Sequence, residues 1–301
     1  MGGGSWTSMA FADYTTSTKH MNLADYEAHT GFTAQSLYKS RSLSPVLNPH
    51  GVMRECHDSE EHPESFPVIL ALDVTGSMGD ASVRVAQKLN EIMTELYADE
   101  NIKDIEFCVM GIGDLAYDSA PIQMSQFESD VRIAEQLDEL YFEAGGGGNH
   151  YESYSAAWYM GVNHCDLHCW KRGKKGLIIT MGDELPNPYL PRESTYRYAS
   201  GGLAGVTGDN LQGDVETKEL LEETLKKFDV YHIAVDDRAT SYRRYQDFDI
   251  DKEWKDLLGD HYCVATLDSL ANTIVNIVKD TVNSGAPQSS IKLNENAEVT
   301  W

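Results

Sequence analysis

The segment FPVILALDVTGSM, residues 66–78, joins a continuous apolar run to a polar turn. A short apolar run without alternating polar residues is typical of a strand that is buried on both faces of a sheet. Residues 80–98 follow with apolar side chains at helical spacing, among them Val83, Leu89 and Met93. The segment therefore predicts a central strand that leads into a helix.

The same alternation continues along the chain to residue 282. Further strands are predicted at 105–112, 121–125, 176–181, 230–235 and 262–265, and helices at 128–142, 152–168, 214–228, 251–258 and 267–282. Strands that alternate with helices of this length require right-handed crossovers and a parallel sheet. We predict an α/β fold, a doubly wound and mostly parallel sheet with helices on both faces.

The predicted domain has polar segments at both ends. Residues 1–62 are rich in Ser, Thr, His and Asn, and we expect them to form an N-terminal extension packed on the domain. Residues 63–282 form the domain itself, and residues 283–301 form a polar C-terminal tail.

The net charge of the chain disfavours two classes of binding partner. The chain carries 48 acidic and 24 basic residues, for a net charge of −24. A surface of this charge repels phosphate backbones and anionic lipid, so we expect neither nucleic-acid nor membrane binding. Five cysteines without a disulfide framework, and a first segment, MGGGSW, unlike a signal peptide, predict a cytoplasmic location.

Polar side chains at alternate positions follow the first strand. In an extended stretch Asp73, Thr75 and Ser77 point the same way, so that one carboxylate and two hydroxyls face one point. Oxygen ligands of this kind suit a hard cation such as Mg²⁺. The alternative is a helix cap, because Ser77 and Asp80 precede an apolar-periodic helix.

The sequence Asp-x-Thr-Gly-Ser after a buried strand resembles the metal-ion-dependent adhesion site of von Willebrand factor A domains. The resemblance covers about 215 residues in the order of strands and loops. It implies that Asp73 reaches a Mg²⁺ or Mn²⁺ ion through water while the hydroxyls of Thr75 and Ser77 coordinate it directly. It also implies that a partner protein completes the site with an Asp or Glu.

Two more loops complete the site in that family, and both differ here. Glycines 145–148 precede Asn149 and Glu152, which resembles the branch with Gly-Gly-Gly-Asp-x-Pro-Glu. Asn149 is then a cation ligand and Glu152 lies near the ion. The alternative is a Gly-rich turn in which Asn149 caps the next helix.

The third loop has Met181 where the family has Asp. If the backbone stays extended, Asp183 shares a face with Met181, because strand side chains repeat every two residues. We therefore predict Asp183 as the substitute ligand of the third loop, acting through water. Glu184 is predicted to lie near the ion or to contact the partner.

Two other kinds of site, a zinc site and a phosphatase active site, fit the sequence less well. His164, Cys165, His168 and Cys169 have a spacing that zinc sites allow, but a helix end with partly buried thiols fits the segment better. Haloacid-dehalogenase-like phosphatases need Asp-x-Asp after the first strand, and Thr75 replaces the second Asp.

The sequence therefore predicts a non-enzymatic, cation-dependent protein-interaction module. A metal-dependent hydrolase of the phosphatase type and a structural scaffold with a degenerate site are the alternatives. Soluble intracellular bacterial and phage members of the family accompany ATP-driven remodelling machines, so the resemblance implies a partner of that kind.

Overall fold

The computed structural model describes most of the chain. It describes residues 6–10, 12–13, 42–75, 88, 92–93, 95–96, 98–99, 102, 104–143, 149–236 and 249–284. Ser77, glycines 145–148 and the tail from residue 285 lie outside the described residues.

The described residues form the following strands and helices, in chain order within each kind. The strands are β1 (Arg54–Cys56), β2 (Phe66–Asp73), β3 (Ile105–Ile112), β4 (Ile122–Met124), β5 (Tyr151–Glu152), β6 (Cys165–Leu167), β7 (Gly176–Gly182), β8 (Leu185–Pro186), β9 (Tyr189–Leu190), β10 (Val215–Glu216), β11 (Phe228–Val235) and β12 (Tyr262–Ala265). The helices are α1 (Arg132–Leu137), α2 (Ser155–Asn163), α3 (His168–Lys171), α4 (Gly202–Thr207), α5 (Thr217–Thr224), α6 (Ile250–Leu258) and α7 (Leu270–Ser284). Lys88, Ile92, Met93, Glu95 and Leu96 are also helical.

Six strands form the central sheet in the order β12-β11-β7-β2-β3-β4. Every neighbouring pair is parallel except β3 and β4, which are antiparallel. Strands β3 and β4 are added on one side of β2, and the later strands β7, β11 and β12 are added on the other side. The fold is therefore a doubly wound α/β fold, as predicted.

The apolar run of β2 is continuous because both faces of the sheet are covered. Ile69 and Ala71 point into one core with residues of α2, α5 and α6. Leu70 and Leu72 point into the other core with residues of α1 and α7. Each face therefore has its own apolar layer of helices, which the alternation of side chains along the strand requires.

One predicted helix, 152–168, is wrong for residues 164–167. Helix α2 ends at Asn163, and Cys165–Leu167 is a strand that pairs in parallel with Arg54–Cys56. The apolar periodicity of the segment could not reveal this partner, which lies about 110 residues earlier in the chain. The helices predicted at 128–142 and 214–228 are also shorter in the structure, at Arg132–Leu137 and Thr217–Thr224.

Residues 42–62 lie against the domain. Leu47 is fully buried, and its carbonyl accepts a 2.8 Å hydrogen bond from the amide of Met124 in the edge strand β4. Arg54 donates a 2.6 Å hydrogen bond to the carbonyl of the same Met124. Within the described part of the chain, no helix has both the length and the apolar character needed to cross a bilayer.

Candidate cation site

The candidate site lies at the carboxyl ends of β2 and β7. Between these two strands the order in which strands are added to the sheet reverses. These strands are neighbours, with Leu72 opposite Met181. Asp73 ends β2, while Asp183 and Glu184 follow β7 directly. Ligands of doubly wound sheets bind at this switch point, because the two loops diverge there and leave a crevice.

Asp73 is fully buried and held by hydrogen bonds on both oxygens. Its Oδ1 accepts from the amide and the hydroxyl of Thr75 at 2.9 and 2.6 Å, and its Oδ2 accepts from the Tyr154 hydroxyl at 2.7 Å. Burial, and next the nearby Asp183 carboxylate, raises the pKa of Asp73 to about 7. The two donors oppose this rise because they stabilise the charged form.

Glu152 is the most unusual carboxyl group of the site. Its side chain is only 6% exposed, and Oε2 is buried with no hydrogen-bond partner among the described residues. Burial raises its pKa well above the ordinary value, and the carboxylates of Asp73, Asp118, Asp114 and Glu184 raise it further. An acceptor buried in this way is costly unless a proton or a cation compensates it.

Asn149 contacts a residue that the sequence analysis did not single out. Its side-chain amide donates a 2.8 Å hydrogen bond to Oδ2 of Asp114, which is 1% exposed. The amide of Asp114 in turn donates to Oδ2 of Asp118 at 2.7 Å. Burial raises the pKa of Asp114, and burial with Glu143 and Asp114 raises that of Asp118 to about 7.

The third loop does not continue the strand. The backbone bends at Asp183 and Glu184, so the extended geometry that predicted a shared face for Met181 and Asp183 ends at Gly182. Met181 is fully buried in the core that also contains Leu72. Asp183 is half-buried and acts on Asp73 electrostatically.

Glu184 is positioned through its backbone. Its amide donates to the Tyr154 hydroxyl at 3.3 Å, and its carbonyl accepts from the indole nitrogen of Trp254 at 3.0 Å. Its side chain is half-buried and contributes to the raised pKa of Glu152. The predicted residues Asp73, Thr75, Glu152, Asp183 and Glu184 thus surround one end of the sheet.

Sequence reasoning missed Asp114, Asp118 and Tyr154. Asp114 could have been predicted from the sequence, because it closely follows the buried strand Ile105–Ile112 at the same edge of the sheet as Asp73. Tyr154 gave no signal, since an aromatic residue at the start of a helix is ordinarily part of the core.

The residues considered for zinc point in different directions. His164 contacts the carbonyl of Val52 and, at 2.7 Å, Asp209, while His168 stacks on His57 with ring centroids 4.0 Å apart. Cys165 and Cys169 are buried free thiols. The two thiols lie in the core, and the two histidines contact residues 52–58.

The side chains around Asp73 supply some, but not all, of the ligands that a cation needs. No three His, Cys, Asp or Glu side chains of the described residues are arranged to hold a metal ion by themselves. A hard cation at Asp73 would therefore also need neutral oxygen ligands. The Thr75 hydroxyl fits, because a hydroxyl that donates its proton to Asp73 still has lone pairs to offer.

A segment between β9 and β10 lies beside the carboxylate cluster. The Ser194 hydroxyl donates to the carbonyl of Ala116 at 2.6 Å, and the amide of Ser200 donates to the carbonyl of Asp118 at 3.1 Å. Tyr196 and Tyr198 on this segment are 50% and 65% exposed. Aromatic surface is therefore available next to the acidic site.

Comparisons with known proteins give distant similarities of structure. No protein-family model and no curated protein matches the sequence. The pilus adhesin SpaC from Lactobacillus rhamnosus GG, in its open conformation, is similar at 12% identity and a TM-score of 0.49, over 77% of this chain and 31% of SpaC. The vWF domain of the type V pili tip protein Mfa5 from Porphyromonas gingivalis is similar at 14% identity and a TM-score of 0.43, over 75% of this chain and 98% of that domain.

Proximal thread matrix protein 1 from the mussel byssus is similar at 11% identity and a TM-score of 0.42, over 75% of this chain and 49% of that protein. SpaC is much longer than the matched part, and this chain spans about a third of its length. At TM-scores below 0.5 these similarities carry no argument about function, and the fold class rests on the order and direction of the six strands.

Proposed function

We propose that this protein is a divalent-cation-dependent protein-interaction module of the von Willebrand factor A type. The observation that carries the proposal is the buried Oε2 of Glu152, which has no hydrogen-bond partner among the described residues and lies among carboxylates with raised pKa values. A buried concentration of negative charge is unfavourable alone and becomes favourable when a cation neutralises it.

The proposed ion is Mg²⁺ or Mn²⁺, since every candidate ligand is an oxygen. Asp73, Thr75 and Ser77 would hold it from the first loop, Glu152 from the second and Asp183 through water from the third. Asn149, which the resemblance names as a ligand, donates its amide to Asp114, so we assign it the task of fixing that carboxylate. The bound ion would supply positive charge and a directional contact for an incoming anion.

The proposed partner is a protein that offers an Asp or Glu to the ion. A surface with a net charge of −24 repels such a side chain, and the ion reverses this repulsion at one point. A charge-assisted contact is stronger than a neutral hydrogen bond, so one carboxylate can fix the docking position. A component of an ATP-driven remodelling machine is the partner class that the family resemblance favours.

Calorimetric titration with Mg²⁺ tests the proposal directly. Wild type should bind Mg²⁺, Asp73→Ala should not bind it, and Glu152→Gln should bind it more weakly because a neutral amide replaces the carboxylate. Glu106→Gln is the matched control, because Glu106 is also a buried carboxyl group with a pKa raised to about 7 but lies near the opposite end of β3.

Two results would contradict the proposed cation-dependent interaction function. Wild type that releases no heat and shows no thermal stabilisation with Mg²⁺ would leave a scaffold without a cation site. Mg²⁺-dependent hydrolysis of a generic phosphate monoester, lost in Asp73→Ala, would assign the site to a hydrolase instead.

A further inference from the structure

Tyr154 makes contacts with two loops of the candidate site at once. Its hydroxyl donates to Oδ2 of Asp73 at 2.7 Å and accepts from the amide of Glu184 at 3.3 Å. Asp73 belongs to the end of β2, and Glu184 to the loop after β7. One oxygen atom therefore connects the two loops that diverge at the switch point.

The ring of Tyr154 has little room to move. The side chain is fully buried, and it makes edge contacts with His232 and Trp254 at centroid distances of 5.1 and 5.5 Å. A Cβ atom at Gly182 would lie 2.0 Å from the Tyr154 hydroxyl, so the end of β7 passes directly against it. A side chain packed this closely holds its hydroxyl at one position.

Trp254 binds the same loop as Tyr154. Its indole nitrogen donates to the carbonyl of Glu184 at 3.0 Å, while the amide of that same residue donates to Tyr154. Both backbone polar groups of Glu184 are thus bonded to two aromatic side chains that touch each other. The position of Glu184 depends on the position of Tyr154.

We propose that Tyr154 is a positioning residue that transmits the state of the cation site at Asp73 to the loop at Asp183 and Glu184. The role rests on the cation site proposed above and goes beyond it, because it assigns a residue outside the three ligand loops. Packing holds the Tyr154 hydroxyl in place, so a cation that fixes the Asp73 carboxylate strengthens the hydrogen bond that the hydroxyl donates to it. A hydroxyl that donates its proton to a carboxylate is in turn a better acceptor for the amide of Glu184. The loop at Asp183 and Glu184 is then ordered through Tyr154 in addition to the water-mediated contact proposed for Asp183.

Hydrogen–deuterium exchange of the whole protein, with Mg²⁺ alone as the probe, tests this role. In wild type, Mg²⁺ should slow amide exchange in the segment 182–186. In Tyr154→Phe, which keeps the ring and removes the hydroxyl, the Mg²⁺ affinity should fall by about tenfold or more, as expected for the loss of a hydrogen bond to a charged group. At saturating Mg²⁺ the slowing of exchange at 182–186 should be clearly smaller in this variant than in wild type, because the contact through Tyr154 is lost.

Tyr159→Phe is the matched control. Tyr159 lies on the same helix α2, is also buried, and donates its hydroxyl to Asp209 at 2.6 Å. Both variants thus lose a hydroxyl–carboxylate hydrogen bond, and in chelator both should lose thermal stability. Only Tyr154→Phe should change the Mg²⁺ affinity and the exchange at 182–186.

The possible failures can be told apart. If wild type binds Mg²⁺ and Tyr154→Phe has the same affinity and the same slowing of exchange, the positioning role is wrong and the cation site stands. If wild type does not bind Mg²⁺, the proposed function fails and the positioning role fails with it.

Discussion

The side-chain amide of Asn149 donates a 2.8 Å hydrogen bond to Asp114 Oδ2, and this bond ties the chain that enters β5 to the loop after β3. Asp114 is also bound through its backbone amide to Asp118, so the three residues form one polar unit beside Glu152. The unit brings carboxyl groups near Glu152, whose pKa both Asp114 and Asp118 raise. We therefore expect Asn149 to act on the proposed cation site through Asp114.

Asn149→Ala is expected to weaken Mg²⁺ binding by about two- to fivefold, the effect of one lost hydrogen bond of about 0.5–1 kcal/mol. Calorimetry measures the change, with Asn163→Ala as the control, since Asn163 donates its amide to the carbonyl of Tyr159 instead. A loss of binding as complete as that expected for Asp73→Ala would make Asn149 a direct ligand, as the resemblance implies.

The affinity for Mg²⁺ should depend on pH through Asp73. Its folded-state pKa is raised to about 7, so below that pH a proton occupies the carboxyl group and competes with the cation. Binding should strengthen as the pH rises from about 6 to about 8, by at most about tenfold per unit below the pKa for a single proton. Titrations across this range that give one constant affinity would show that Asp73 is not a ligand.

Glu106 should make the stability of the domain depend on pH independently of any cation. Burial, with a smaller contribution from Glu128, raises its pKa to about 7 from an ordinary value of 4.5. Because the folded-state pKa is the higher one, the stabilising contribution is complete below 4.5 and is lost as the pH rises through about 7.

Glu106→Gln, which keeps the shape without the charge, is therefore expected to unfold at higher urea concentration than wild type at about pH 8. The gain is of the order of 1–3 kcal/mol and should vanish by about pH 4. Urea unfolding in chelator at several pH values measures the difference between the two proteins. A difference that does not change with pH would mean that this carboxyl group titrates normally.

The strands that could be predicted from sequence are those whose apolar run is set by burial on both faces. The runs at Phe66–Asp73 and Ile105–Ile112 have the same bounds in sequence and structure. A polar residue precedes each run, and another lies within two positions after its last apolar residue. The strand Cys165–Leu167 could not be found in this way. It exists because Arg54–Cys56 lies beside it, and a short run near the end of an apolar helix carries no sign of a distant partner.

The same distinction applies to the candidate site. Asp73 and Thr75 form a local pattern, and the structure joins their side chains by a 2.6 Å hydrogen bond. Tyr154 reaches Asp73 across 81 positions of sequence, and this contact depends on how α2 packs on the sheet. Sequence reasoning thus locates the end of the strand, while the contacts made there follow from tertiary packing.

The N-terminal segment is expected to be required for the fold. Leu47 is fully buried in the core that contains Leu70 and Leu72, and its backbone continues the hydrogen bonding of the edge strand at Met124. Removing a buried leucine side chain loses its transfer free energy and leaves a cavity, so Leu47→Ala should cost about 2–5 kcal/mol of unfolding free energy. Deletion of residues 1–62 also removes β1, the partner of β6, and should destabilise the domain more.

Urea denaturation compares Leu47→Ala with Val46→Ala, its neighbour in sequence, whose side chain is 54% exposed and whose loss should cost no more than about 0.5 kcal/mol. The comparison decides how a binding experiment with the truncated chain must be interpreted. If Leu47→Ala is destabilised as expected, a deletion before residue 63 that abolishes binding reports loss of the fold rather than loss of a docking element. If Leu47→Ala unfolds at the same urea concentration as Val46→Ala, the segment is dispensable for the core. A binding defect in the deleted chain would then make the N-terminal segment the interaction element, and partner binding by the full chain should persist in chelator.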